Sequence, residues 1–267
     1  MDKTKIDWAD SSWNPVTGCL HGCPYCYARK IARRFGKPLV NSDHAEIIHI
    51  DYPLRYHNNS SLVVLNDKPR SPYSAFAHYG FFNPTFHRYR LNDYLHKKGR
   101  TIFVCSMADL FGDWVPDEWI EEVFRACEAA PQHRYLFLTK NPKRYEKLHD
   151  NNIFPNKDNF WFGTTITRPS DEIPYFQEPS PSYKGFVSIE PILEPFAGLA
   201  VSDWVIIGAE TGQRKDRIIP ERWWIEEIVE SCQYFGKPVF MKESLRPIWG
   251  DDLIQEYPWD RGGGTVK

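Results

Sequence analysis

Six short runs are apolar almost throughout: TIFVCSM (101–107), RYLFLTK (134–140), FWFGTTI (160–166), GFVSIEP (185–191), WVIIGAE (204–210) and PVFMKES (238–244). A strand with one face in water alternates apolar and polar residues. A run that does not alternate must be covered on both faces, as parallel strands are. Helices fit between the runs. Pro116 opens one in which Trp119, Ile120, Val123, Phe124 and Cys127 recur at helical spacing, and Pro131 stops it. Asn141-Pro142 opens a short helix to about Leu148. After Pro220, the stripe Trp224, Ile225, Ile228, Val229, Cys232 and Phe235 ends at Gly236, a natural C′ residue. This alternation predicts an α/β fold of parallel β/α units. Six runs, plus at least one more near the N-terminal cysteines, predict a (β/α) barrel, partial or near-complete, in a single domain over residues 1–267. An irregular insertion or lid is expected near residues 37–96, which hold one short apolar run, LVVL (62–65), and FFNPTFHRYRL (81–91). The alternative is an open doubly wound sheet. Neither G-x-G-x-x-G nor a P-loop is present to support it.

Polar residues close every run. They are Ser106 and Asp109, Thr139 and Lys140, Thr164 and Thr165, Ser188 and Glu190, Glu210 and Thr211, and Lys242 and Glu243. The C-terminal ends of parallel strands are where β/α folds build sites, so a shared site is expected there.

Three of the six cysteines fall within eight residues, as Cys19-x-x-x-Cys23-x-x-Cys26. A disulfide would leave one thiol over. A structural zinc ion needs a fourth ligand, for which His21, His44, His49 or His57 are the candidates. A [4Fe–4S] cluster on three thiolates would instead leave one iron open. Gly18 and Gly22 permit the turns of a tight binding loop. Ala28, Ile31, Ala32 and Phe35 follow at i, i+3, i+4 and i+7, an amphipathic helix starting near Pro24 whose N-terminus favours a negative group. Cys105 lies in a strand run and Cys127 and Cys232 on helix faces, so each reads as a small buried hydrophobe.

The C-x3-C-x2-C spacing, with Tyr25 before the last cysteine, resembles the signature of the radical S-adenosylmethionine (SAM) superfamily. IDWADSSWNPVTGC, CSMADLFGDWVPDEWI, FLTKNPKRY, WFGTTI, SIEPIL, WVIIGAETG and VFMKES resemble a phage-associated, radical-SAM-like branch with no assigned substrate. The chain departs from that branch at GAETG, where many members carry Gly-Glu-Ser-Gly, and after Lys242, where many carry Gln. The resemblance implies a barrel of radical SAM type with a [4Fe–4S] cluster on Cys19, Cys23 and Cys26. It implies reductive cleavage of SAM to a 5′-deoxyadenosyl radical that abstracts hydrogen from an unknown substrate, with DNA or RNA as candidates. Tyr25, Ser106, Asp109, Thr139, Lys140 and Thr164 are then expected to contact SAM, and Lys140 suits its carboxylate. Glu190, Glu210 and Lys242 are expected to face the substrate, with a structural Glu–Lys pair as the plainer alternative. An electron donor such as flavodoxin or ferredoxin is implied.

Two other classes remain. One is a zinc-stabilised nucleic-acid-binding protein without redox chemistry, and the other a metal-free hydrolase using Glu190 and Glu210. A net charge of −2 argues against a chain coated in phosphate-binding charge, although Arg29, Lys30, Arg33, Arg34 and Lys37 form a local basic face. Aromatic residues at 15%, including ten Trp, are expected mainly in the core. No apolar run approaches membrane-spanning length and the first residues lack a signal-like apolar stretch, so a cytoplasmic protein is expected.

Overall fold

The computed structural model describes residues 4–35, 45–50, 60–68, 82–171, 183–196 and 202–260. The chain divides into two compact units, one of residues 1–4 and 9–155, the other of residues 5–8 and 156–267.

The first unit runs β1 (Ser11–Trp13), β2 (Val16–Thr17), α1 (Tyr27–Phe35), β3 (Ala45–Ile50), β4 (Ser60–Leu65), β5 (Thr85–His87), β6 (Thr101–Val104), α2 (Asp117–Glu128), β7 (Arg134–Thr139) and α3 (Lys143–Asp150). β6 pairs in parallel with β1 on one side and β7 on the other. All four residues of β6, Thr101 to Val104, are buried, so the strand is covered on both faces. Helix α2 begins after Pro116 and carries Asp117 and Glu118 in its first turn, where acidic groups complement the helix dipole. It buries Trp119, Ile120, Val123, Phe124 and Cys127. Burial of such large apolar side chains contributes about 1.5–3 kcal/mol each. Helix α3 ends in a left-handed Asn152 (φ 57). The Ile153 N–H returns to the Leu148 carbonyl at 2.8 Å, closing a Schellman cap.

The second unit runs β8 (Phe160–Ile166), β9 (Lys184–Ile189), β10 (Trp204–Ile207), α4 (Arg222–Tyr234), β11 (Val239–Met241) and α5 (Arg246–Trp249). β8, β9, β10 and β11 are successive parallel neighbours. Val187, Ile189, Val205, Ile207, Val239 and Met241 pack with Ile225, Ile228, Val229 and Cys232 of α4 into one core. Gly236 (φ 65) ends α4 as expected, and the Lys237 N–H returns to the Cys232 carbonyl at 2.8 Å. Phe235 departs from the expected stripe: it lies past the last helical turn and is 55% exposed. Aromatic residues do supply the core. Trp8, Phe186 and Trp204 have ring centroids 5.8–6.3 Å apart, and Phe240, Tyr257 and Trp259 continue the cluster. The Trp8 residue arrives from segment 5–8. Asp7 fixes that segment by accepting the Glu243 N–H at 2.9 Å and the Tyr257 hydroxyl at 3.4 Å.

Two expectations are corrected. The parallel strands follow the order β1-β6-β7-β8-β9-β10-β11, and among the described residues no pairing joins β11 to β1. Among the described residues no complete ring of strands forms, so the expected (β/α) barrel of radical SAM type is corrected to a mixed α/β fold with parallel strands. Strands covered on both faces have the same residue pattern in open and closed sheets. Closure is decided by tilt and stagger, which the pattern does not encode. The region 37–96 is also more regular than expected. β3, β4 and β5 join β2 in a four-stranded sheet of order β2-β5-β4-β3. β3–β4 and β2–β5 are antiparallel and β4–β5 is parallel. β2 has two residues and β5 three, too few to show a period. The remainder of the expected insertion lies outside the described residues.

Candidate functional site

The cysteine loop enters through a passage that only glycine fits. Gly18 has φ 87, and a Cβ there would lie 2.0 Å from the Asn83 carbonyl oxygen. Its N–H donates to the Met107 carbonyl at 2.9 Å, and the Cys19 N–H donates to the Phe82 carbonyl at 3.1 Å. At the loop apex Gly22 (φ 72) has nothing within 4 Å of where a Cβ would stand. The Cys26 N–H then closes a turn on the Cys23 carbonyl at 3.2 Å, with Pro24 in the second turn position that proline favours.

Cys26 stands where a helix cap stands. Its carbonyl accepts the Lys30 N–H at 3.4 Å, and its Sγ accepts the Arg29 N–H at 3.4 Å. The thiol therefore takes the place that Ser or Asp usually fills at the start of α1, at the positive end of the helix dipole. Arg29 turns back: its Nη2 donates to the Cys19 carbonyl at 3.1 Å and its guanidinium lies 5.4 Å from the centre of the Phe82 ring. Cys19 and Cys26 pack against a floor of Ala28, Ala32, Phe82 and Met107.

The loop is held from one corner at the ends of β6 and β7. Asp109, 5% exposed, accepts four donors. Its Oδ1 takes the Phe111 N–H at 3.0 Å and the Thr139 hydroxyl at 2.8 Å. Its Oδ2 takes the Lys140 N–H at 2.9 Å and lies 2.7 Å from Nε2 of His21. Burial pushes the Asp109 carboxyl up, but His21, the Lys140 amide and Thr139 outweigh it and hold it below the ordinary 3.8. A carboxylate offers about four lone-pair sites, so Asp109 has no acceptor left for a cofactor. The same corner reaches the second gap between cysteines, where Nζ of Lys140 lies 3.4 Å from the Tyr25 hydroxyl and 5.4 Å from its ring centre. Ser106 is tied to Asn14, whose Oδ1 accepts the Ser106 hydroxyl at 3.2 Å and the Met107 N–H at 2.9 Å. Thr139 is fully used, since its Oγ1 also accepts the Asn141 N–H at 2.9 Å.

Cys19, Cys23 and Cys26 are all partly exposed, whereas Cys105, Cys127 and Cys232 are at 2%, 0% and 0%. Burial raises Cys105 and Cys232 each to about 12. The Cys19 thiol is also held high, by burial and then by the Asp109 charge. Burial raises Cys23, while the ammonium of Lys140 opposes that rise. Among the described residues no three His, Cys, Asp or Glu side chains converge on a single ion site. A single zinc needs its ligand atoms within about 2.0–2.3 Å of one point. Three thiols on one loop are the donor type taken by zinc and by iron–sulfur clusters alike. His21, a candidate zinc ligand, has its Nε2 engaged by Asp109. His44 and His57 lie outside the described residues, as does the side chain of His49.

The other expected site residues belong to the second unit. Thr164 is 0% exposed and shares its side of β8 with the core residue Ile166, leaving no surface for a ligand. Lys242 and Glu190 form an ion pair. They meet above Gly208, where a Cβ would stand 3.1 Å from the Lys242 Cδ. Glu210 pairs elsewhere, accepting two Arg214 N–H groups at 2.8 Å each. Both carboxylates of the expected hydrolase pair are therefore committed to cations.

Asn14 and the inward turn of Arg29 were not expected. Asn14 precedes Pro15, and such a pair signals a turn but not the partners of its amide. Of the basic face, Lys30, Arg33 and Arg34 are exposed, and Lys37 lies outside the described residues.

A family model described as "Protein of unknown function (DUF5131)" matches residues 3–251. No curated protein and no solved structure matches the chain. No radical SAM family model matches either, so the expected membership in that superfamily is corrected. Three cysteines in eight residues are a metal-binding pattern that unrelated chains can reach, and they do not by themselves define descent. No described helix is long and apolar enough to cross a membrane.

Proposed function

Since the chain belongs to the DUF5131 family, described as of unknown function, we propose its activity from the site: Cys19, Cys23 and Cys26 hold a [4Fe–4S] cluster, and the protein is an enzyme that cleaves SAM reductively to activate an organic substrate. The observation that carries this reading is the division of the cysteines. Three are partly exposed and share one loop, while the other three are buried at 2% or less and cannot serve as a fourth ligand. When bound, a cluster with one iron free of protein ligand supplies a coordination site for SAM and one electron to its sulfonium.

The chain's own groups then have limited, definite tasks. Cys26 presents its sulfur to the Arg29 N–H at the start of α1, where the helix dipole favours negative charge. Lys140, half-buried beside Tyr25, offers a cation for the carboxylate of the methionine half. Asp109, Thr139 and Asn14 orient these elements. The apolar floor of Ala28, Ala32, Phe82 and Met107 excludes water from the inner side of the loop. Exposed Lys30, Arg33 and Arg34 on α1 make DNA and RNA the first substrates to test, with flavodoxin or ferredoxin as reductant.

The test is anaerobic reconstitution with iron and sulfide, followed by reduction with SAM present. About four irons and four sulfides per chain, an altered electron paramagnetic resonance signal on adding SAM, and release of 5′-deoxyadenosine are expected. A colourless protein with one tightly held zinc would replace this reading with the structural-zinc alternative.

A further inference from the structure

Each of the two gaps between the cysteines carries one side chain that reaches the same corner of the first unit. In the gap from Cys19 to Cys23, Nε2 of His21 lies 2.7 Å from Oδ2 of Asp109. In the gap from Cys23 to Cys26, the Tyr25 hydroxyl lies 3.4 Å from Nζ of Lys140. Asp109 and Lys140 are themselves joined, since the Lys140 N–H donates to Asp109 at 2.9 Å and the Thr139 hydroxyl at 2.8 Å. The His21 ring is further fixed edge-on to Trp114, with centroids 4.8 Å apart. A loop with glycines at both positive-φ positions would otherwise have many conformations open to it.

We propose that the Asp109–Thr139–Lys140 corner is a mould that sets the spacing of the three thiols before any metal arrives, with His21 and Tyr25 as the handles by which it grips the loop. This rests on the reading that the loop holds a cluster. It adds that the loop is already ordered without one, so uptake does not have to supply the ordering entropy. His21 and Asp109 are positioning residues under this proposal, acting on the cluster through the loop.

The variants are His21→Ala, His21→Gln and, as a remote control, Arg88→Ala, which breaks the Arg88–Glu122 pair at 2.9 Å. Gln retains an N–H donor for Asp109. The first readout is hydrogen–deuterium exchange of amides 19–26 in metal-free protein, which reports local opening. His21→Ala is expected to speed exchange there by about 10-fold, with Gln restoring most of the protection and Arg88→Ala leaving it unchanged. The second readout is iron affinity after reconstitution. Residues supporting metal ligands are worth about 10–100-fold in affinity, and His21→Ala should fall in that range while Gln recovers. If the wild type takes up no cluster but His21→Ala still frees the loop, the corner orders the loop but the cluster reading falls and the mould with it. If the wild type loads and His21→Ala neither frees the loop nor weakens loading, the mould is overturned. A His21→Gln variant as loose as Ala also overturns it.

Discussion

Gly18→Ala isolates the passage into the cysteine loop. Two costs add there. The backbone sits at φ 87, and a non-glycine residue held in such a region costs about 1–3 kcal/mol. The new methyl would also lie 2.0 Å and 2.4 Å from the oxygen and carbon of the Asn83 carbonyl and 2.9 Å from the Phe82 oxygen. These are backbone atoms that cannot swing aside, and overpacking of this kind costs a further ~1–3 kcal/mol. Gly22→Ala is the matched comparison. It shares the positive φ, at 72, but meets nothing within 4 Å. Gly18→Ala should therefore lose about 2–6 kcal/mol and Gly22→Ala about 1–3. At roughly 2–4 °C per kcal/mol for a chain of this size class, the Gly18 variant should melt at least about 4 °C below wild type and clearly below the Gly22 variant. Thermal melts followed by circular dichroism, under one buffer and scan rate, decide it. Equal melting temperatures for the two variants would refute the close approach as the reason for glycine at 18.

Four further outcomes follow from the geometry. Replacing Cys19, Cys23 or Cys26 with Ala should abolish iron retention, while Ala at Cys105, Cys127 or Cys232 should keep it at a modest stability cost; iron analysis after gel filtration checks this. The Asp109 carboxyl titrates below 3.8 in the folded chain, so its stabilising contribution is complete above that value and lost as pH falls through the lower folded one. Melts between about pH 5 and pH 2 should accordingly fall more steeply for wild type than for Asp109→Asn. Gly163→Ala would press a methyl to 2.5 Å from the buried Phe186 ring and should cost about 1–3 kcal/mol in a urea titration. A double-mutant cycle of Glu190→Gln and Lys242→Met should give a coupling of about 1 kcal/mol, and a coupling near zero would deny the ion pair an energetic role.

Much of the local structure is legible in the residues. The six unalternating runs are all strands, because burial on both faces leaves no room for polar positions. The caps at Pro116 and Gly236 are local chemistry and are read correctly. Phe235 misleads because it is the cap residue itself, one past Tyr234 at the end of α4, where helical periodicity no longer decides which face a side chain takes. Closure of the sheet is not legible, since Val205 or Ile206 would be equally apolar in an open or closed arrangement. The second sheet escapes for want of length in β2 and β5. At the site, the three cysteines announce themselves by spacing. Asp109 also stands out, but as a residue for a ligand, because sequence shows a carboxylate's capacity and not the four protein donors that fill it. Thr164 fails in the same way: strand-end position does not say which face a residue takes. Glu190 and Lys242 come together as the plainer of the two readings had it, whereas Glu210 finds Arg214, four residues away.

The short segment 5–8 has a consequence for how the protein is made. Trp8 belongs to a ring cluster whose other members, from Phe186 to Trp259, are translated long after it. During synthesis its indole must wait without its final neighbours while most of the polypeptide emerges. Fusions or deletions placed ahead of residue 9 should thus disturb the half of the molecule encoded last, and limited proteolysis of such products should release fragments from beyond residue 156 first.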